Sequence, residues 1–160
     1  MDELTIPEPY GWDDELTGLD GPDLWQRILV AETARADKYQ RPFTVVVAEL
    51  EGVLDISESL GSDVARHTMR VIAQCLRRET RASDYCTRIA LTRFGVALTE
   101  TDEIEAVNFV ERVRESVPGS LPGGTEALRL SFGWASPRAG ESAGSLVTRA
   151  ERRLIGELLR

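Results

Sequence analysis

An arginine and an aspartate three residues apart, Arg81 and Asp84, are the side chains in this sequence with the clearest chemical use. The guanidinium group of arginine can donate parallel hydrogen bonds to a ligand, and a carboxylate on the same turn can accept hydrogen bonds from it. Together they match a guanine edge, whose O6 and N7 accept hydrogen bonds while N1 and N2 donate them. A structural interpretation is equally open: a local surface ion pair worth at most about 1 kcal/mol.

The elements that must position this pair follow from hydrophobic periodicity. Helical spacing predicts a helix from about Pro22 to Tyr39, and the β-branched run 44–50 predicts a central strand covered on both faces. The remaining predicted elements are a short irregular or helical link over 52–59, a helix capped by Ser62 or Asp63, a hairpin of strands 85–89 and 94–98, a helix from a Thr101 cap to about Ser116, a turn-rich loop over 118–124, a strand over 128–134 and a helix over 142–159. This order favours an α+β fold with a mostly antiparallel central sheet flanked by helices.

Composition and charge exclude several classes of function. The 160 residues suffice for one domain, predicted at 13–160, and a Pro- and Gly-containing segment at 1–12 predicts a flexible N-terminal tail. A formal net charge of -8 argues against direct binding of nucleic acid or of an anionic membrane. Two cysteines and one histidine without metal-ligand spacing argue against a zinc site. The acidic N-terminus and the lack of a long apolar run predict a cytoplasmic protein.

The chain resembles the GGDEF domain of diguanylate cyclases over most of its length. The segments that carry the resemblance are Asp14-Glu-Leu-Thr-Gly-Leu19, Arg81-Ala-Ser-Asp84, Ala90-Leu-Thr-Arg-Phe94 and Ser131-Phe-Gly133. In that family an Arg-x-x-Asp motif five residues before the signature pentapeptide is the inhibitory site that binds the product, cyclic di-GMP. The resemblance implies a nucleotide-cyclase-like fold with a ferredoxin-like core, and a cyclic di-GMP site at Arg81 and Asp84. Arg112 matches a position from which family members supply a further arginine, although it also fits a solvated helix face.

The same resemblance indicates a degenerate active site. Only Phe94 of the pentapeptide agrees with the family; Thr92 stands at a metal carboxylate, and Arg93 stands at the general acid-base position. Glu49 keeps the charge of the other metal carboxylate. A hydroxyl and a cation do not neutralise a Mg²⁺ pair that holds a triphosphate. The resemblance thus implies a protein that is not an enzyme and has neither a metal nor a cofactor.

Other parts of the substrate site are also replaced. Ala90 and Leu91 stand where two glycines let the backbone approach the nucleotide. Ser57 and Arg66 stand at the Asn and Asp that read guanine, so that an acceptor has become a donor. Leu158 stands where the family has a phosphate-binding lysine.

Two functions of different classes remain open at this point. The first is a noncatalytic receptor that binds cyclic di-GMP through Arg81, Asp84 and Arg112, as an intercalated ligand dimer, and relays it through homodimerisation or an unknown protein partner. The second is a ligand-independent interaction module, with tryptophans as candidate anchors. A third, less favoured possibility is that the altered pocket around Glu49 binds a different nucleotide.

Overall fold

A computed structural model describes residues 6–159, which form five helices and four strands. The elements in chain order are α1 (Pro22–Tyr39), β1 (Phe43–Glu51), α2 (Val53–Leu60), α3 (Ser62–Arg78), β2 (Tyr85–Ala90), β3 (Arg93–Thr99), α4 (Glu103–Ser120), β4 (Arg129–Ala135) and α5 (Ala143–Leu158). The predicted bounds of α1 are confirmed at both ends, and each predicted strand is confirmed within one or two residues.

The four strands form one antiparallel sheet in the order β2-β3-β1-β4. β1 therefore lies in the interior of the sheet, where six of its first seven positions from Phe43 onward are buried. This is the strand order of a ferredoxin-like βαββαβ core with additional helices. The predicted α+β class and mostly antiparallel sheet are confirmed.

Helices cover both faces of this sheet, and each face has its own apolar core. Side chains of α2, α3 and α4 pack on one face against residues that include Val46, Phe94 and Phe132. Side chains of α1 and α5 pack on the other face against Val45 and Val47 of β1. Alternate residues of β1 thus enter different cores, which explains why the strand is apolar without a period of two.

Two strand glycines allow α1 and α5 to approach the sheet closely. A Cβ atom on Gly95 of β3 would lie 2.6 Å from the ring of Trp25, which is buried in the α1 interface. A Cβ on Gly133 of β4 would collide with the backbone of α5 at Ala150. Because real Cβ contacts are never this short, both positions require glycine for packing.

The N-terminal segment contacts the domain at two places within the described residues. Ile6 is buried in the core on the α3 and α4 face, and the carbonyl of Pro7 accepts a hydrogen bond from Arg88. Residues 1–5 lie outside the described residues, and the flexible tail at 1–12 stays a prediction.

A buried ion pair fixes this segment to the sheet. Arg88 of β2 is fully buried and donates to Asp14 Oδ1 at 3.1 Å and to the carbonyl of Leu91 at 2.9 Å. Burial lowers the pKa of Arg88, and the facing Asp14 carboxylate opposes that shift. The pair joins the N-terminal segment to the hairpin between β2 and β3, and removing one partner would leave a buried unpaired charge.

Three predicted helix ends are wrong in detail. Gly61, rather than Ser62 or Asp63, occupies the N-cap of α3 and provides no side-chain cap. Asp102, rather than Thr101, caps α4 in a reciprocal capping box with Glu105. The same helix continues past Pro118 to Ser120, two residues beyond the proline that suggested a loop. Thr101 is instead buried, where its hydroxyl donates to the carbonyl of Thr99.

Candidate functional site

The two predicted arginines and the aspartate meet in one surface groove. A cavity of about 280 Å³ lies between the turn before β2 and the outer side of α4. Its lining includes all three predicted ligand residues, Arg81, Asp84 and Arg112, together with two carboxylates, Glu79 and Glu105. The structure thus brings together Arg81 and Arg112, which are 31 positions apart in the sequence.

Asp84 forms the floor of this groove and stabilises its turn. Its side chain is only 2% exposed, and Oδ1 accepts from the Thr99 backbone N–H at 3.0 Å and from the Thr99 hydroxyl at 3.3 Å. Oδ2 accepts from the Arg81 backbone N–H at 2.9 Å and from Arg81 Nε at 3.5 Å. A carboxylate has about four lone-pair sites, so Asp84 is saturated by protein donors.

Arg81 crosses the mouth of the groove. Its Nη2 donates to the carbonyl of Thr99 at 2.5 Å and to the hydroxyl of Thr101 at 2.6 Å, while its side chain remains 56% exposed. Three hydrogen bonds to fixed acceptors restrict the rotamer freedom that a solvated arginine would have. The guanidinium is therefore both held in position and accessible.

Arg112 contributes from α4 but already has an acidic neighbour. Its Nε lies 3.3 Å from Glu79 Oε2, at the C-terminal end of α3, and its side chain is 51% exposed. Glu105 also faces the groove, although its carboxylate accepts from the Asp102 N–H in the capping box at 3.1 Å. Three carboxylates thus oppose two guanidinium groups, and the groove in this state carries a formal charge of −1.

The opposite end of β1 and β3 brings together Glu49, Thr92 and Arg93, which the resemblance places at catalytic positions. This cluster is called the catalytic edge. Glu49 of β1 lies directly across from Arg93 of β3, and Arg93 Nε donates to Glu49 Oε1 at 2.8 Å. The hydroxyl of Thr92 donates to the other carboxylate oxygen of Glu49. Arg93 also lies 3.9 Å from Glu151 of α5. Both oxygens of Glu49 are thus engaged by residues of the hairpin.

The other positions at which the resemblance implies a replacement lie on several different elements. Arg66 lies on α3, 3.6 Å from Asp63, and Ser57 lies half-buried on α2. Leu91 of the hairpin turn packs against the core on the α3 face, whereas Ala90 is exposed. Leu158 packs against the core on the α5 face. Apolar side chains thus pack where the resemblance places a glycine, at Leu91, and a lysine, at Leu158.

The residues present at the catalytic edge do not fit the divalent metals that the family implies. Within residues 6–159 no group of three or more Asp, Glu, His or Cys side chains is arranged to hold a metal ion. A Mg²⁺ ion requires carboxylate oxygens that are free to coordinate it, whereas those of Glu49 bind a cation and a hydroxyl.

Several residues that shape the two regions carried no recognisable signal in the sequence. Thr99 and Thr101 hold Asp84 and Arg81 from the end of β3, and Glu79 pairs with Arg112. The Arg88 and Asp14 pair could have been suspected, since an arginine in a strand pattern needs a partner when it is buried. Isolated threonines and glutamates offer no comparable pattern.

Comparisons with known proteins agree with the fold. The family profile described as "Diguanylate cyclase, GGDEF domain" matches residues 12–157. Diguanylate cyclase DosC of Escherichia coli is 29% identical over 126 residues, which are 76% of this chain and 27% of DosC. Response regulator PleD of Caulobacter vibrioides is 26% identical over 144 residues, which are 86% of this chain and 32% of PleD. The chain thus spans about a quarter to a third of these relatives.

Solved structures give the same result. Diguanylate cyclase SiaD of Pseudomonas aeruginosa, solved in complex with its activator SiaC, has a TM-score of 0.84 at 26% identity and covers 92% of this chain and 58% of SiaD. The GGDEF domain of DgcB from Caulobacter crescentus, solved in complex with c-di-GMP, has a TM-score of 0.86 at 18% identity over 94% of this chain and 91% of that chain, a likeness of fold alone. No helix among residues 6–159 is long and apolar enough to cross a membrane. The chain belongs to the GGDEF domain family, which includes proteins of cyclic di-GMP metabolism.

Proposed function

We propose that this protein is a catalytically inactive GGDEF domain that binds cyclic di-GMP through Arg81, Asp84 and Arg112. Asp84 also holds Arg81 in position. Binding is relayed through homodimerisation or through a protein partner. The observation that carries the proposal is the contrast between a catalytic edge closed by its own ion pair and a groove whose guanidinium groups are 56% and 51% exposed.

Inactivity is supported by the partners of Glu49. Synthesis of a cyclic dinucleotide from GTP requires Mg²⁺ at carboxylates that neutralise the triphosphate. Here Arg93 and Thr92 donate hydrogen bonds to the two oxygens of Glu49, and Thr92 carries no negative charge. Arg66 presents a cation where the family has a carboxylate that reads guanine. Each change removes a different part of the substrate site, so no single reversion would restore turnover.

Ligand binding is supported by the geometry of the groove. A volume of about 280 Å³ accommodates one base, while the phosphates of the ligand would lie at the mouth between the two arginines. Asp84 must give up protein contacts before it can accept from guanine N1 and N2. Its two longest contacts, to Arg81 Nε and to the Thr99 hydroxyl, are the ones that a base would replace.

The test combines a binding measurement with an activity measurement. Isothermal titration of the purified protein with cyclic di-GMP is expected to show saturable binding. Arg81→Ala is expected to weaken it by at least about 30-fold, because charge-assisted hydrogen bonds contribute about 1.5–3 kcal/mol each. Incubation with GTP and Mg²⁺ is expected to yield no cyclic di-GMP. Detectable product, or a lack of heat at tens of micromolar ligand, would overturn the proposal.

A matched control is available on α5. Arg152 is exposed and lies outside the groove, so Arg152→Ala removes the same charge from the protein without touching the proposed ligand. The affinity of Arg152→Ala for cyclic di-GMP is expected to stay within about 2-fold of the wild-type value, because salt screens the interaction between the ligand and a distant charge. Equal weakening by both variants would indicate a nonspecific charge effect.

The alternative function is a ligand-independent interaction module that has lost all nucleotide use. The saturation of Asp84 and the Arg112 contact with Glu79 favour it, because both satisfy the groove without a ligand. In that case partner binding would be insensitive to cyclic di-GMP and to Arg81→Ala. A pull-down carried out with and without the ligand distinguishes the two functions.

A further inference from the structure

We propose that the outer face of α1 is a homodimer interface, in which two copies of this helix pack antiparallel about a two-fold axis between Val30 and Ala31. The charge pattern of this face is complementary to that of a second copy of the chain. The proposal is independent of cyclic di-GMP and of the groove at Arg81.

The outer face of α1 has an apolar centre that no residue in 6–159 covers. The helix buries Trp25, Ile28, Leu29, Thr33 and Ala36 against the sheet and α5. The side opposite these residues carries a set that is exposed throughout and recurs at spacings of three and four: Asp23, Arg27, Val30, Ala31, Ala34 and Lys38. Val30, at the centre of the set, is 64% exposed. Helix faces that point to water are normally polar along their whole length.

Charges at the two ends of this face are complementary to those of a second copy. Asp23 lies seven residues before Val30, and Lys38, the only lysine, lies seven residues after Ala31. An antiparallel two-fold pairing therefore sets Asp23 opposite the second copy's Lys38, and the symmetry generates this ion pair twice. The same register sets Val30 against the second copy's Ala31, and Ala34 against the stem of the second copy's Arg27. A parallel pairing would oppose like charges.

An exposed aromatic side chain on an anchored backbone segment borders the face. Trp12 is 49% exposed, and the Arg27 guanidinium lies 5.9 Å from its ring centroid. Two backbone hydrogen bonds fix its segment to the start of α1: Gly21 N–H to the carbonyl of Trp12 at 2.8 Å, and Asp23 N–H to that of Gly11 at 2.9 Å. Any side chain at Gly21 would collide with Gly11, so this close approach requires glycine.

Trp12 and α1 enclose a shallow groove that the second helix would fill. It has a volume of about 640 Å³ and is lined by Trp12, Asp23, Gln26, Arg27, Val30 and Ala31. In the antiparallel pairing, the C-terminal turn of the second α1 lies beside it, with the second copy's Lys38 near the indole ring. Exposed aromatics held in a fixed orientation lose little entropy on binding and are common anchors of interfaces.

The interface is expected to be weak. One face of an 18-residue helix with its flanking tryptophan falls at or below the low end of specific interfaces, about 1,200 Å² in total. Sedimentation velocity from about 10 µM to about 1 mM therefore covers the expected range of dissociation constants. The wild-type sedimentation coefficient is expected to rise towards that of a dimer across this range.

A charge exchange tests the register. Asp23→Lys alone and Lys38→Glu alone each oppose like charges at both symmetric sites and are expected to weaken the dimer by at least about 5-fold. The double variant Asp23→Lys, Lys38→Glu restores opposite charges and is expected to recover wild-type association. Arg152→Glu, on exposed α5, matches the charge change of Lys38→Glu and is expected to leave the dimer nearly unchanged.

A further variant tests the apolar centre. Val30→Asp sets two carboxylates against each other at the two-fold axis, and this is expected to abolish association while the thermal unfolding temperature stays within a few degrees, since Val30 is exposed. A wild-type protein that stays monomeric throughout the range would overturn the proposal. Single variants that associate like wild type, or a double variant that is not rescued, would overturn it as well.

Discussion

The catalytic edge and the Arg81 groove each contain an arginine bound to a carboxylate, but the two pairs leave different groups accessible. At the edge, the Arg93 and Glu49 side chains are 28% and 15% exposed, and each is used by the other. In the groove, the carboxylate of Asp84 is 2% exposed, whereas the guanidinium of Arg81 is on the surface at 56%. A closed pair has no capacity left for a ligand, whereas a buried carboxylate that orients an exposed arginine creates a binding group.

The register of the sheet brings the Arg93 and Glu49 pair together. Arg93 reaches Glu49 because the register of β1 and β3 places the two directly opposite each other. Cross-strand neighbours of opposite charge attract at about 5 Å between Cβ atoms. Arg93 and Thr92 of the hairpin thus bind Glu49, which the resemblance places at a metal carboxylate.

Reopening the catalytic edge is expected to have the largest effect. The double variant Thr92→Asp, Arg93→Glu removes both donors from Glu49 and adds two like charges beside it. Without metal, the free energy of unfolding is expected to fall by about 3–4 kcal/mol. Because three carboxylates then face one another, Mn²⁺ is expected to raise the unfolding temperature of the variant but not of the wild type. Thermal unfolding with and without Mn²⁺ checks this, and an identical response of both proteins would contradict it.

Removing the charge of Asp84 is expected to lower the free energy of unfolding of the domain. Asp84→Asn keeps one acceptor oxygen and turns an amide N–H₂ towards the N–H donors of Arg81 or Thr99. The expected loss is about 2–3 kcal/mol of unfolding free energy, because a buried donor is left unsatisfied. Urea unfolding measures it. Loss of binding without any loss of stability would instead mean that Asp84 contacts the ligand and has no structural role.

A third ion pair is a reference that serves structure alone. Arg149 of α5 binds Glu141 through two hydrogen bonds, of 2.8 and 2.6 Å, and holds the loop after β4. These bonds lower the pKa of Glu141 from 4.5 to about 2. A depressed folded-state pKa contributes stability above about pH 4.5 and loses it as the pH falls towards 2. Glu141→Gln is therefore expected to cost about 1 kcal/mol at pH 7 and progressively less below pH 4.5. Urea unfolding as a function of pH checks the slope, and a cost that is constant down to pH 3 would contradict it.

The smallest expected effect sharpens the description of the groove. Glu79→Gln releases Arg112 from its ion pair and changes the charge of the groove from −1 to neutral. Affinity for cyclic di-GMP is expected to rise by about 2- to 5-fold, less than 1 kcal/mol, because the pair is partly exposed. Titration calorimetry measures the change, and Glu151→Gln at the catalytic edge is the matched control. Reduced affinity in Glu79→Gln would indicate that this carboxylate accepts from the ligand.

Much of the fold could be predicted because its signals are local. The apolar stripe of the 18-residue helix α1 and the β-branched run of β1 predict a helix and a strand without reference to the rest of the chain. Helix ends were harder to predict. Asp102 and Thr101 are both good capping residues, and the choice between them depends on Thr101 being buried beneath Arg81. The burial of Ile6 is likewise a tertiary property that composition does not reveal.

By itself the sequence determined the family and the order of the elements, because these depend on residue type and spacing. Through the resemblance it also predicted the positions at which catalytic residues are replaced. Only the tertiary structure decided which side chains pair. Glu49 meets Arg93 across 44 residues, Arg112 meets Glu79 across 33, and Asp84, which precedes β2, accepts from the backbone of Thr99 at the end of β3. Hydrogen bonds and ion pairs act over a few ångströms, so their partners are set by sheet register and helix packing rather than by distance along the chain.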